Sequence, residues 1–170
     1  CSINSDHISF DLLDHNKKVV VYNRSSEKVD KISKLGAIPS YSLKELINKL
    51  PKTKIIWLMV DSKAVDQILK DLRPLLSKGD IIIDGGNSYY KESIQRQIKL
   101  KKLGIDFLDV GTSGGILGAR NGACLMIGGD KKIYKKIEYI CEALASKNGY
   151  GYMGSPGAGH FVKMAHNGIE

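Results

Sequence analysis

Short apolar runs rich in β-branched residues recur along this chain, and most are followed by a longer stretch with apolar residues at helical spacing. "KKVVVY" (17–22), "KIIWLMV" (54–60), "DIIIDGGN" (80–87), "IDFLDVG" (105–111), "ACLMIGG" (123–129) and the short "GYGYM" (149–153) read as strands. Between them, "SSEKVDKISKLG" (25–36), "SLKELINKL" (42–50), "SKAVDQILKDLRPLL" (62–76), "YYKESIQRQIKLKKLG" (89–104) and "KKIYKKIEYICEALA" (131–145) read as helices, and a last helix starts near Gly157 or Ala158. Ser25 stands at a cap position, and Gly36 and Gly104 stand where helices end. Strands alternating with helices of this length imply βαβ units and a mainly parallel sheet, an α/β architecture.

The 170 residues, 42% apolar and 26% charged, suit one ordinary domain with a packed core. No apolar run approaches the ~20 residues that cross a bilayer. The first twenty residues lack the pattern of a signal peptide, so a cytoplasmic protein without membrane association is expected. Cys1, Cys124 and Cys141 are odd in number and far apart, which fits reduced thiols and no metal site. The net charge of +8 comes from lysines spread along helical segments with few interleaved aromatics. That distribution argues against a nucleic-acid surface and leaves small anionic ligands as the expected partners.

One irregularity interrupts the pattern. A Rossmann-like, doubly wound sheet that binds dinucleotides opens on a strand and a glycine-rich turn, which presents a helix N-terminus to the pyrophosphate. This chain opens on "CSINSDHISFDLLDHN" and has no glycine before Gly36. "FDLLDHN" (10–16) reads as the end of the helix that would follow the turn. The expected fold is therefore a mainly parallel doubly wound sheet lacking its first strand and glycine turn. In such a sheet the first strand is central, so the two halves should be split and their edges unpaired.

Four segments carry candidate chemistry. In "VVVYNRSSEK", Asn23, Arg24, Ser25 and Lys28 lie where a second strand meets an adenosine ribose. Basic residues there suit a 2′-phosphate, hence NADP over NAD; a plain solvated helix start is the other reading. In "IIIDGGNSYY", two glycines and Asn87 would let backbone approach a ligand, or else form a simple turn with Ser88 capping the next helix. "DVGTSGGILGARNGACLMIGGD" holds seven glycines, and Ser113, Gly114 and Gly115 can offer a hydroxyl and N–H groups to an anion. In "GHFVKMAHNGIE", Lys163, His166, Asn167 and Glu170 fall on one helical stripe. A solvated face is the ordinary reading of such a stripe. Gly168 inside the helix, and four different chemistries on one face, point instead to a ligand or a second backbone.

Together, in this order and spacing, these motifs resemble the decarboxylating 6-phosphogluconate dehydrogenases, in the wording of their shorter bacterial branch, over roughly residues 10 to 170. The resemblance implies an NADP-dependent oxidoreductase of the pentose phosphate pathway, converting 6-phosphogluconate to ribulose 5-phosphate and CO2. It implies that Arg24, Ser25 and Lys28, with Asn23 beside them, hold the 2′-phosphate. Met59 and Val60 would line the nicotinamide side. Asn87 would touch cofactor and sugar acid, Ser113, Gly114 and Gly115 would bind near the carboxylate, and His166 and Asn167 would position hydroxyls. Lys163 would be the general base and Glu170 the general acid. A lysine acts as base only when neutral, a form that burial or nearby positive charge favours.

By the same resemblance, residues 1–156 are an incomplete NADP-binding domain and 157–170 begin the helix leading to an all-helical domain. That domain would complete the phosphate site and a homo-oligomer. This 170-residue chain alone is expected to be inactive. The rival expectations are a β-hydroxyacid dehydrogenase acting on another small acid, and a non-catalytic remnant or binding module.

Overall fold

The computed structural model describes residues 5–114 and 122–169. A helix α1 (Ser5–Asp14) comes first, followed by β1 (Val20–Tyr22), α2 (Ser26–Ser33), β2 (Ile38–Ser40) and α3 (Leu43–Lys49). Then come β3 (Ile55–Leu58), α4 (Ser62–Leu72), a 3-10 turn at Arg73–Leu75, β4 (Ile81–Asp84) and α5 (Tyr90–Lys101). The chain continues through β5 (Asp106–Ser113), β6 (Ala123–Gly129), α6 (Lys131–Leu144), β7 (Ala145–Gly154) and α7 (Ala158–Ile169).

The strands form two sheets. β1 and β2 pair in parallel as a two-stranded sheet, and β3-β4-β5-β6-β7 form the second. β3, β4 and β5 run parallel, β6 is antiparallel to β5, and β7 is parallel to β6. Among the described residues no strand joins β1 to β3. This is the split expected of a doubly wound order 2-1-gap-3-4-5, and it leaves Val20, Val21 and Tyr22 only half-buried.

Alternation along the central strands builds a core on each face of the five-stranded sheet. Ile81, Ile83, Leu108 and Val110 pack with Ile133, Ile137 and Leu144 of α6 and with Ile8 of α1. Ile82 and Phe107 point the other way, onto Val65, Leu69 and Leu72 of α4 and Leu100 of α5. α7 lies against β5 and β6. On β5, Asp109 and Gly111 share the parity of Phe107, so α7 occupies the α4–α5 face. No described helix is long and apolar enough to cross a membrane.

β2 is the strand that the sequence pattern did not announce. It is three residues long and holds Pro39, which can sit only where one side of a strand needs no donor. As the outer strand of a two-stranded sheet it meets that condition. Ile38 donates to the Val19 carbonyl at 2.9 Å to start the pairing.

Candidate functional site

Two buried carboxylates set the geometry at the carboxyl ends of β4 and β5, where open α/β sheets hold their ligands. Asp109, fully buried on β5, accepts the Gly157 N–H at 2.7 Å and the His160 N–H at 2.9 Å. It therefore supplies, from a distant strand, the capping oxygen that the start of α7 lacks locally. Asp84, fully buried at the end of β4, accepts the Ser88 hydroxyl at 2.7 Å and the Gly86 N–H at 3.2 Å. The Arg96 guanidinium lies 3.5 Å from it, and also donates to Asp66 at 2.8 Å and Glu92 at 3.0 Å. That bond from Arg96 holds the Asp66 carboxyl below the ordinary carboxylate range, against the opposing effect of partial burial.

Between these anchors α7 approaches the sheet closely because glycines face each other. A methyl group on Gly159 would overlap the Met126 carbonyl and lie 2.6 Å from the Asp109 carbonyl. One on Gly111 would lie 2.6 Å from the Cβ of Lys163. This contact draws Lys163 into the protein at 5% exposure, where its Nζ donates to the Thr112 carbonyl. Thr112 in turn donates from its hydroxyl to the Gly85 carbonyl at 3.3 Å, tying β5 to the loop after β4.

A cleft of about 280 Å³ opens between that loop and α7. Asn87, Ser88, Tyr89 and Glu92 form one wall, His160, Met164 and Asn167 the other, and Ser62 closes the α4 side. The structure thus unites Asn87 with Asn167, which the sequence reading placed on one ligand. Lys163 lies on the same helix with its Nζ on the carbonyl of Thr112, the residue before Ser113, which is the half-buried last residue of β5. Gly114 follows it and is exposed. His166 is exposed and does not line the cleft. Gly115 and Glu170 lie outside the described residues.

The proposed ribose end is separate from this cleft, on the two-stranded sheet. Asn23 accepts the Ser25 N–H at 3.0 Å, an Asx turn that starts α2. Ser25 is the N-cap residue, yet its hydroxyl makes no capping bond. Arg24 and Lys28 are exposed on the same turn. Met59 and Val60, both half-buried, follow β3.

Three local readings change. The glycines after β4 serve the protein's own packing: a methyl on Gly86 would lie 2.8 Å from the Val60 carbonyl, and one on Gly85 would overlap the Trp57 indole nitrogen. Ser88 does not cap α5; its hydroxyl turns inward to Asp84, and Tyr89 holds the cap position. Among the described residues Gly168 has open space where a side chain would project, so no described backbone explains it. The sequence reading also passed over Asp84, Asp109, Ser93, Arg96 and His160. Its available signal was an acid embedded in the apolar runs "IIID" and "FLDV", since a buried carboxylate must be paid for by partners.

The comparisons with known proteins agree with this architecture. Residues 6–154 match the family described as the NAD binding domain of 6-phosphogluconate dehydrogenase. YqeC of Bacillus subtilis, provisionally named a 6-phosphogluconate dehydrogenase, is 48% identical over 164 residues, covering 96% of this chain and 55% of its own length. The decarboxylating 6-phosphogluconate dehydrogenase of Staphylococcus aureus is 45% identical over 174 aligned positions, 96% of this chain and 37% of its own. The Plasmodium falciparum 6-phosphogluconate dehydrogenase, solved alone, with its cofactor NADP+ and with its substrate 6-phosphogluconate, superposes with a TM-score of 0.91 at 33% identity. That match covers 99% of this chain and 40% of the Plasmodium one. The chain thus spans about half, or less, of the length of these relatives.

Proposed function

The chain belongs to the 6-phosphogluconate dehydrogenase family as an NAD(P)-binding domain, and we propose that it is the NADP-binding part of an enzyme that oxidatively decarboxylates 6-phosphogluconate. The observation that carries this reading is the buried Lys163, fixed to the Thr112 carbonyl on the helix whose Asn167 meets Asn87 across the cleft. A lysine buried at the carboxyl end of a parallel sheet, one helical turn from a polar cleft, suits general-base work on a small acid.

The donor set at the end of β1 fits a 2′-phosphate. Arg24 and Lys28 bring two positive charges, and Ser25 brings a hydroxyl not engaged in capping. Asn23 fixes the turn that presents them. Met59, Val60 and Asn87 would border the nicotinamide, which when bound takes up the hydride from the substrate's C3. Lys163 would accept the C3 hydroxyl proton as that hydride leaves. The resulting 3-keto acid breaks its C1–C2 bond, releasing CO2 and leaving an enediol. Glu170 would return a proton to C1 of the enediol, giving the ketopentose. Ser113, Gly114 and Gly115 would hold the carboxylate side, and His166 and Asn167 the hydroxyls.

The chain should bind NADP more tightly than NAD, and Arg24→Ala should abolish the difference; equal affinities in calorimetry would refute the ribose assignment. With no glycine before Gly36 to cradle the pyrophosphate, NADP affinity should stay weaker than micromolar. The 170-residue chain by itself should not reduce NADP with 6-phosphogluconate, and clear turnover would overturn that expectation. Addition of 6-phosphogluconate should shift the amide signals of Asn87, Ser113 and Asn167. A stronger response to 3-hydroxyisobutyrate would assign the chain to a different hydroxyacid.

A further inference from the structure

Each of the two sheets ends on a strand with one bare side. Among the described residues β1 pairs with β2 alone, and β3 with β4 alone. In a parallel ladder a residue turns both its N–H and its C=O to one neighbour, and the next residue turns both to the other side. Ile38 donates to the Val19 carbonyl at 2.9 Å, and the Ser40 hydroxyl to that of Val21 at 2.7 Å, so Val19 and Val21 face β2. Val20 and Tyr22 therefore face away from it. On β3, Ile81 donates to the Lys54 carbonyl at 2.8 Å and Gly85 to that of Leu58 at 2.9 Å, so Lys54, Ile56 and Leu58 face β4. Ile55 and Trp57 face away. No described residue bonds the backbone N–H and C=O groups of Val20, Tyr22, Ile55 and Trp57 on those sides.

The two bare sides border one interval, where a doubly wound sheet sets a single strand ~4.8 Å from each neighbour. Both sheets lie within the superposition on the Plasmodium enzyme and so keep the mutual placement of that fold. Helices cover the interval on both faces. α1 packs against α2 of the smaller sheet and sends Ile8 and Leu12 into the core of Ile81 and Ile83, against which Trp57 also packs. α3 packs against β1 and sends Leu43 and Ile47 into the opposite core, with Ile56 and Leu58. Between these helices Val20, Val21, Tyr22, Ile55 and Trp57 stay half-buried. A backbone that satisfies both bare sides must be extended. With both faces covered its side chains must be apolar, since a charge buried there is costly. The described apolar runs of this chain are already engaged as strands or helix faces, so a second copy has none to spare. We propose that β1 and β3 form an acceptor for one extended segment of a different polypeptide, rich in valine and isoleucine, which inserts parallel to both strands and is bonded along both its edges. Its insertion joins the small sheet, which carries Arg24 and Lys28, to the sheet that carries the cleft.

The test titrates the 15N-labelled 170-residue chain with a short peptide of valine and isoleucine flanked by lysines, and follows amide exchange residue by residue. With the peptide at about ten times its Kd, exchange at Val20, Tyr22, Ile55 and Trp57 should slow about tenfold. A strand bonded on both edges uses every one of its amides, alternately to β1 and to β3. N-methylating either alternate set of peptide amides should therefore weaken binding about tenfold, and a peptide with aspartate at its centre should not bind. Protection of only Val20 and Tyr22, or only Ile55 and Trp57, with one methylated peptide binding as well as the unmodified one, would show pairing to a single edge and overturn the proposal. No change at any of the four amides would overturn it as well, and equal binding of the aspartate peptide would refute the apolar requirement. If in the dilute chain alone the four amides already exchange as slowly as those of Val21 and Ile56, residues of the same chain fill the interval. If they slow only as the chain is concentrated, a second copy fills it. Either result removes the place for a different polypeptide.

Discussion

Two glycines of α7 should respond to the same substitution with opposite signs. At Gly159 a methyl group would meet backbone on every side: the carbonyls of Met126 and Asp109, the latter at 2.6 Å, and the Gly128 nitrogen at 2.9 Å. None of these atoms can rotate away as a side-chain tip would. The whole helix must retreat by a fraction of an ångström from β5 and β6, loosening both bonds to Asp109 and the seat of Lys163. Overpacking of a core costs about 1–3 kcal/mol, and a backbone-lined site belongs at the upper end, so about 3 kcal/mol is expected for Gly159→Ala. For a chain of this size that lowers Tm by about 6–12 °C. At Gly168 no described residue lies within 4 Å of the new methyl group. There only helix propensity acts, and Gly168→Ala should stabilise by at most about 1 kcal/mol, less where the helix end frays. Thermal and urea unfolding followed by circular dichroism would measure both. If Gly159→Ala melts within a degree or so of the parent, or if both variants shift together, close packing against β5 and β6 is not what holds this helix.

Asp109→Asn keeps one carbonyl oxygen but sets an NH2 against an N–H, so it should cost about 2–3 kcal/mol in urea unfolding and speed amide exchange at Gly157 and His160 first. Arg96→Met leaves Asp84 buried with Ser88 and Gly86 as its remaining partners among the described residues and should destabilise by about 3 kcal/mol. Because Asp66 owes its lowered pKa first to the Arg96 bond, its part of the parent's stability is present above the unfolded carboxylate pKa and fades as pH falls through the folded one. The gap between parent and Arg96→Met should therefore narrow below about pH 4, although Asp66 is 69% exposed and this component is small. Burial pushes the Cys141 thiol up to about 12, whereas Cys124 is exposed. At pH 8 an alkylating reagent should mark Cys124 and spare Cys141 until the chain unfolds, as peptide mass mapping would show.

What the sequence made legible follows from period and burial. β4 and β5 are buried almost throughout because both their faces are covered, and the apolar residues that this demands, Ile81 to Ile83 and Phe107, Leu108 and Val110, made them stand out. The split between β1 and β3 could be inferred because an absent glycine turn is a local fact and the place of the first strand in this fold is fixed by topology. β2 was not legible, since three residues around Pro39 carry no pattern. β7 was read as 149–153 but starts at Ala145, directly after α6; its first residues pair through a register shift between Ala123 and Leu125 that no periodicity encodes. At the site, Asn87, Lys163 and Asn167 were visible as chemistry on a turn and a helix. The long-range partners Asp109 and Ser93 were not, because they lie 51 and 67 residues from His160 and only the fold brings them there.

The cleft is therefore held by contacts inside the five-stranded sheet and its helices. Asp84 fixes the loop that bears Asn87, Asp109 fixes the helix that bears Lys163 and Asn167, and Thr112 links the two through Gly85. None of these contacts involves β1 or β2. The ribose-side residues Arg24, Ser25 and Lys28 sit on the smaller sheet, whose pairing with the larger one no described strand provides. The two halves of a cofactor site would then differ in stability: β1 and β2, half-buried and paired on one side, have fewer buried apolar contacts to protect them. Amide exchange should separate them, with β4 and β5 protected to the global unfolding free energy and β1 and β2 opening well below it. Equal protection across the two sheets would show that contacts other than strand pairing join them, and would remove the reason for expecting weak NADP binding from the split.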